Sequence, residues 1–123
     1  MKFKYKIAMN LQERKAEYEK VIKHNPGKIG IICEKDPKSQ IPDIEKTKYL
    51  INAEFNLTQF TKIIRKKLNM DQKEALFFLV NGKISLTGDS TMLEIYKKYK
   101  DEDGFLYIAY AAEEVWGNNN KIP

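Results

Sequence analysis

The sequence is poor in the side chains that form covalent cross-links or hold soft metal ions. Cys33 is its only cysteine and His24 its only histidine. An intrachain disulfide is therefore excluded, and a structural zinc site, which takes four cysteine or histidine ligands, is not expected. A chain without disulfides suits a reducing compartment, so we expect a cytoplasmic protein.

Long apolar runs are also missing. The longest apolar stretch, residues 105–112, is far shorter than the roughly 20 residues that a membrane-spanning helix needs. Residues 1–6 are basic, but no apolar segment of signal-peptide length follows them. We therefore expect a protein made without a signal peptide or a membrane span.

Catalytic motifs are absent as well. Nucleophilic catalysis needs a serine, cysteine or threonine held by a base, but His24 falls where a helix is predicted to end and Cys33 has isoleucine neighbours typical of a buried strand. The sequence has no glycine-rich phosphate loop, and the acidic residues 101–103 are typical of a solvated turn. We predict a protein that is not an enzyme and uses neither a metal nor a cofactor.

Positive charge is what the sequence has in excess. The net charge is +5 over 123 residues, to which residues 1–50 contribute +5, residues 51–100 contribute +4 and residues 101–123 contribute −4. A basic body favours acidic partners such as nucleic acid, an anionic membrane or an acidic peptide. Nucleic acid is the least favoured of these, because the basic run Arg65-Lys66-Lys67 has no aromatic stacking motif beside it.

Capping pairs and apolar periodicity divide the chain into helices and strands. Three predicted helices begin at pairs that can form capping boxes, and these pairs are Asn10 with Glu13, Asn56 with Gln59, and Thr91 with Glu94. Strands are predicted over residues 28–35, 48–54, 75–80 and 105–111, and Asn81-Gly82 favours a tight turn. The order is helix, two strands, helix, strand, short helix, strand.

This order predicts an α+β fold of the ubiquitin-like β-grasp type with an N-terminal helical extension. In a β-grasp, one sheet wraps around a single diagonal helix. A ferredoxin-like sandwich is the competing fold, although it needs a helix between the first two strands. Residues 36–47 contain two prolines and no helical period, so they favour the β-grasp.

The second predicted strand indicates a binding surface. Tyr49 and Ile51 point to one side of it, and Lys48 and Leu50 point to the other. If this strand lies at the edge of the sheet, its free amides can pair with an extended peptide. On the following helix, Phe60 and Ile63 lie off the centre of the apolar stripe, so we expect them to line a partly open groove.

Short motifs that belong to one pattern run through the sequence, and they are Met1-Lys2-Phe3, Tyr5-Lys6, Glu34-Lys35, Pro37-Lys38, Lys48-Tyr49-Leu50, Gln59-Phe60, Ile64-Arg65-Lys66, Ala75-Leu76-Phe77-Phe78 and Leu106-Tyr107-Ile108-Ala109-Tyr110. These motifs resemble the autophagy ubiquitin-like modifiers, and the GABA-receptor-associated-protein branch is the most similar. The resemblance runs nearly without gaps from Met1 to about Gly117 and implies two N-terminal helical segments within residues 1–25.

The resemblance implies that the C-terminus is cleaved and then attached to a lipid. Residues 1–117 would form one domain, and a processing cysteine protease would remove residues 118–123 after Trp116-Gly117. Activating and conjugating enzymes would then join the Gly117 carboxylate to phosphatidylethanolamine. A cytoplasmic protein would thereby become attached to the autophagosome membrane.

The resemblance also implies a groove for the aromatic-x-x-aliphatic motifs of cargo receptors. Its aromatic pocket would be lined by Glu17, Val21, Ile32, Lys48, Leu50 and Phe105, and its aliphatic pocket by Tyr49, Ile51, Phe55, Phe60, Ile63 and Ile64. Lys28, Lys46 and Lys67 would form a basic rim that attracts acidic flanks, an effect weakened by salt. The alternative function is a non-conjugated trafficking or cytoskeletal binding module of the same fold.

Overall fold

The computed structural model of the chain describes residues 1–71 and 73–112. The predicted cleavage pair Trp116-Gly117 and the predicted tail 118–123 lie outside these residues. The described elements, in chain order, are α1 (Lys4–Ala8), α2 (Leu11–Lys23), β1 (Lys28–Lys35), β2 (Lys48–Asn52), α3 (Leu57–Leu68), β3 (Phe77–Val80), β4 (Ile84–Ser85), α4 (Met92–Tyr99) and β5 (Leu106–Ala111).

Helices α2, α3 and α4 begin at the three capping boxes that the sequence predicts. At the start of α2, the Asn10 side chain accepts a hydrogen bond from the Glu13 amide, and the Glu13 carboxylate accepts one from the Asn10 amide, both at 2.9 Å. Asn56 with Gln59 and Thr91 with Glu94 form the same reciprocal pairs. Each box satisfies amides that the first helical turn leaves without a partner.

Helix α1 is too short to show a period, and Phe3, its N-cap residue, makes no side-chain capping bond. A distant carboxylate takes that role. Glu34, at the end of β1, accepts hydrogen bonds from the amides of Lys4 at 2.7 Å and Tyr5 at 3.1 Å. The two N-terminal helical segments implied by the resemblance are therefore confirmed, and a tertiary contact holds the first of them.

The five strands form one mixed sheet in the order β2-β1-β5-β3-β4. The central pair, β1 and β5, is parallel, and the other neighbours are antiparallel. This is the predicted β-grasp arrangement. The ferredoxin-like alternative is wrong, because residues 36–47, all of which the structure describes, form a turn, bends and irregular backbone where that fold would place a helix.

Helices cover both faces of the sheet. On the first face, α3 packs through Leu57, Phe60, Ile64 and Leu68 in a core that includes Ile31 and Ile108. On the second face, Phe3, Tyr5, Tyr18 and Val21 from the N-terminal extension pack against alternate residues of the sheet such as Ile32 and Tyr107. The helical extension is therefore the second layer of the domain.

The strand boundaries differ slightly from those predicted. Strand β2 ends at Asn52, β3 begins at Phe77 and β5 begins at Leu106. The two-residue strand β4 was not predicted, because two residues are too few to show alternation. It follows Asn81 and Gly82, whose φ angles of 56° and 71° fit the tight turn that this dipeptide favours.

A buried carboxylate fixes helix α2 to the loop before β5. Asp103 accepts hydrogen bonds from the Phe105 amide at 2.7 Å, from the Tyr107 hydroxyl at 2.5 Å and from Arg14 Nε at 2.8 Å. Its side chain is completely buried, and that of Arg14 is 11% exposed. Such a pair is costly to break, because the remaining partner keeps a buried charge without compensation.

We expect the substitution Asp103→Ala to lower the free energy of unfolding by about 3 kcal/mol, since it removes the carboxylate that pairs with the Arg14 charge and leaves two other hydrogen-bond donors without their acceptor. Urea unfolding followed by circular dichroism measures this. The exposed neighbour Glu102 is the matched control, and Glu102→Ala should change stability by less than about 0.5 kcal/mol. Equal effects of the two substitutions would show that the buried network contributes nothing particular.

Candidate functional site

Strand β2 forms one end of the sheet and, among the described residues, pairs only with β1. Amides at Cys33 and Ala53 donate to the carbonyls of Thr47 and Gly27, respectively. Because hydrogen-bonded and non-hydrogen-bonded pairs alternate in an antiparallel ladder, positions 47, 49, 51 and 53 bond inward. The amides and carbonyls of Lys48, Leu50 and Asn52 therefore point away from the sheet, along what we call the free edge.

The second face of the sheet carries the residues of the predicted aromatic pocket. Lys48 lies opposite Ile32, and Leu50 lies opposite Gly30. Helix α2 stands over them, with Lys48 Nζ 2.5 Å from the Glu17 carboxylate. Val21 and Leu50 are half-buried, whereas Ile32 and Phe105 are completely buried beneath them. The structure thus brings together all six residues of this predicted pocket.

The first face carries the residues of the predicted aliphatic pocket, and most of them are buried. Tyr49 and Ile51 keep 3% and 5% of their exposed area, and Phe60 and Ile64 keep none. Phe55 and Ile63 are half-buried and pack against the same core. The six residues are brought together, but in this structure their shared space is filled by their own side chains.

One expectation about this face is wrong. Phe60 does not line an open groove at the margin of the apolar stripe. Its ring is completely buried and lies 5.2 Å from the ring of Phe78, measured between centroids. The periodicity misplaced Phe60 because the sheet curves around α3 and covers a wider part of the helix than the central stripe, whereas Ile63 does lie at the margin.

Tyr49 has an unusual environment on this face. Its hydroxyl is buried and finds no hydrogen-bond partner among the residues that the structure describes. Burial raises the pKa of this hydroxyl to about 12, so it stays protonated at physiological pH. Lys46 Nζ lies 5.3 Å from the centre of the Tyr49 ring, within the range of a cation–π contact.

The three lysines of the predicted basic rim do not form a single cluster. Lys46 and Lys67 line one surface cavity of about 410 Å³ near the start of β2. Lys28 lies opposite Asn52 at the other end of that strand, and the five residues of β2 span roughly 16 Å at about 3.3 Å per residue. The free edge therefore has positive charge at both ends.

Comparison with known proteins places the chain in a family. The family model described as "Autophagy protein Atg8 ubiquitin like" matches residues 13–117. Autophagy-related protein 8 of Kluyveromyces lactis is 38% identical over 119 residues, which are 97% of this chain and 95% of that protein. The chain belongs to the Atg8 family.

A solved structure of the family supports the same assignment. The crystal structure of Trypanosoma brucei ATG8 superposes with a TM-score of 0.86 at 35% sequence identity, covering 92% of this chain and 97% of the other. The resemblance recognised from the sequence is thereby confirmed, as is the ubiquitin-like fold.

Within this Atg8-family chain, the sequence interpretation missed that Tyr18 lies beside the residues of the predicted aromatic pocket. Its ring packs edge-on against Phe105, with 5.0 Å between the centroids and 84° between the planes. The available signal was its position on α2 between Glu17 and Val21, combined with Gly30 on the facing strand. The pattern of α2 alone could not show that the ring reaches the sheet.

The ion pair between Glu17 and Lys48, at the predicted aromatic pocket, can be tested by titrating Glu17. The hydrogen bond from Lys48 lowers the pKa of the Glu17 carboxyl below the ordinary value. The pair stabilises the fold above the unfolded pKa, and that contribution is lost as the pH falls through the lowered folded value. The substitution Lys48→Gln should therefore raise the pKa of Glu17 in a carbon-13 NMR titration. An unmoved pKa would show that the pair does not persist in solution.

Proposed function

We propose that this chain is a ubiquitin-like modifier that becomes attached to phosphatidylethanolamine through Gly117 and recruits cargo receptors to the autophagosome membrane through the groove at β2. Membership of the Atg8 family supports a role in autophagy, and the match to the family model ends at Gly117. Across residues 1–71 and 73–112, none of the helices is long and apolar enough to cross a bilayer. In this proposal, attachment to a lipid provides the membrane association.

The observation that carries the binding half of the proposal is the free edge of β2. Lys48 and Leu50 offer outward backbone groups with no partner among the described residues, whereas the Asn52 carbonyl accepts a hydrogen bond from the Phe55 amide at 3.0 Å. An extended peptide can use the free groups to join the sheet as a further strand. Lys46 and Lys67 near one end, and Lys28 at the other, attract acidic residues that flank such a peptide.

The spacing of an aromatic-x-x-aliphatic motif fits this edge. Residues three positions apart on a strand point to opposite faces of a sheet, because the side-chain period is two. The aromatic pocket lies on the α2 face and the aliphatic pocket on the α3 face. A peptide paired with β2 would therefore place its aromatic side chain on one face of the sheet and its aliphatic side chain on the other.

The aliphatic end needs a local rearrangement before it can hold a ligand. Tyr49 and Phe60 fill its interior, and only Phe55 and Ile63 are partly accessible. The aliphatic side chain of the peptide would pack on Phe55 and Ile63 and displace them outward. The unpartnered hydroxyl of Tyr49 would lose no hydrogen bond in such a movement.

The covalent chemistry is assigned to partner enzymes. Hydrolysis after Gly117 by the processing protease would release residues 118–123 and leave a carboxylate. Activating and conjugating enzymes would then convert it through an adenylate and thioesters into an amide of the lipid amine. In this chain, Cys33 is completely buried and burial raises the pKa of its thiol, which opposes its use as a nucleophile. This supports a non-enzymatic role for the chain.

A non-conjugated trafficking or cytoskeletal module would use the basic N-terminal segment instead. Two of its cations are already paired inside the protein, Lys6 with Asp101 at 2.5 Å and Arg14 with Asp103 at 2.8 Å. These pairs reduce the charge available to an acidic partner, so we favour the modifier.

The conjugation half is tested at Gly117. After incubation with processing and conjugating enzymes, ATP and vesicles containing phosphatidylethanolamine, the wild-type chain should lose residues 118–123 and gain the mass of the lipid. Gly117→Ala should gain no lipid, because the added methyl group hinders approach to the terminal carbonyl. The matched control Trp116→Phe should still be conjugated. Lipid attachment to Gly117→Ala at the wild-type rate would refute the assignment.

The binding half is tested at Leu50, whose side chain is half-buried beside the free edge. Leu50→Ala should weaken binding of an acidic aromatic-x-x-leucine peptide about tenfold in calorimetric titrations, since a pocket-lining side chain is lost. Leu93→Ala removes an equally half-buried leucine from α4 and should leave the affinity unchanged. Equal affinities for wild type and Leu50→Ala would place the peptide elsewhere.

A further inference from the structure

Tyr18 occupies space that two glycines leave open. A methyl group at Gly104 would lie 2.4 Å from Cδ2 of Tyr18, and one at Gly30 would lie 3.1 Å from Cε1 of the same ring. Carbon atoms do not approach to 2.4 Å without movement of one of them, and a contact at 3.1 Å is tight enough that the ring would have to shift by a few tenths of an ångström. The ring therefore takes this position because Gly104 lacks a side chain, and Gly30 leaves it room on the other side.

Hydrogen bonds fix the far end of this ring. The Tyr18 and Tyr96 hydroxyls are 2.6 Å apart, and Tyr96 donates to the Gly104 carbonyl at 2.7 Å. Since each hydroxyl has one proton, Tyr18 is the donor to Tyr96. Tyr18 is thus held by α4 at its hydroxyl and by the completely buried Phe105 at its ring.

The near edge of the ring reaches the candidate groove. Gly30 is the register partner of Leu50, and the next pair on the same face of the sheet is Ile32 with Lys48. A methyl group at Gly30 would also meet two carbons of the Phe105 ring at 2.9 Å. Tyr18 and the buried Phe105 therefore fill the space over Gly30, between Leu50 and α2, where the predicted aromatic pocket would have its floor.

We propose that Tyr18 determines which aromatic side chain the groove accepts, admitting the single ring of phenylalanine or tyrosine and excluding the larger indole of tryptophan. This inference rests on the peptide-binding function proposed above. A floor made of two fixed rings limits the depth of the pocket, and packed side chains held at both ends yield to a larger group only at a cost.

The test uses four peptides that share an acidic flank and a leucine at the aliphatic position. They differ only in the anchor, which is tyrosine, phenylalanine, tryptophan or alanine. The wild-type chain should bind the tyrosine and phenylalanine peptides about tenfold more tightly than the tryptophan peptide, a typical penalty for an oversized group. In Tyr18→Ala, the tryptophan peptide should bind within about twofold of the other two.

Two further variants separate the ring from its hydroxyl and from general effects on the fold. Tyr18→Phe keeps the ring over Gly30 and should keep the wild-type preference. Tyr99→Ala removes another half-buried tyrosine, from α4, and should also keep it. Thermal unfolding reports whether each variant is folded, and Tyr18→Leu replaces Tyr18→Ala in the comparison if the alanine variant is not.

The outcomes distinguish this inference from the function on which it rests. Tight binding of the tryptophan peptide to the wild type, or a preference that survives the loss of the Tyr18 ring, would overturn the role of Tyr18 and leave the groove intact. Binding of all three aromatic peptides no tighter than the alanine peptide would refute the groove, and the role of Tyr18 with it.

Discussion

The structure depends on a sheet whose central strands are apolar on both faces. Strand β5 is buried along its whole length, and β1 is buried from Ile29 to Glu34. Such strands need a covering layer on each side. Helix α3 provides one layer, and the N-terminal extension provides the other. The extension is therefore a requirement of the core and also places α2 beside the free edge of β2, where it forms one wall of the groove.

Polar contacts anchor that second layer at widely spaced positions. Glu34 caps α1, Asp103 binds Arg14 at the start of α2, and Glu17 binds Lys48 further along the same helix. These contacts join residues distant in sequence, so the layer is specified by side chains of the sheet and its loops. They join α2, which forms the wall of the candidate pocket, to the sheet and its loops at two points.

Secondary-structure elements that are determined by residues close together in the sequence could be predicted. The capping boxes at Asn10, Asn56 and Thr91 depend on residues three positions apart, and the structure contains all of them. Helix α1 could not be predicted from its own five residues, because its capping group is Glu34. Strand β4 was missed for a similar reason, since two residues acquire their structure from pairing with β3.

In the candidate site, too, features determined by local sequence could be predicted, and features determined by tertiary packing could not. Alternation along β2 correctly separated Lys48 and Leu50 from Tyr49 and Ile51, because side-chain direction on a strand is a local property. The burial of Phe60 and the position of Tyr18 over Gly30 depend on how the helices pack on the sheet. Neither follows from the periodicity of one element.

The central position of β5 also has a consequence for synthesis on the ribosome. Within the sheet, β1 and β3 are both hydrogen-bonded to β5, which lies between them and ends at Ala111. Until this late segment emerges, the earlier strands form two separate pieces, each with an unpaired apolar border exposed to other chains. Folding must therefore wait for nearly the whole described sequence, and the nascent protein remains vulnerable to aggregation until β5 inserts.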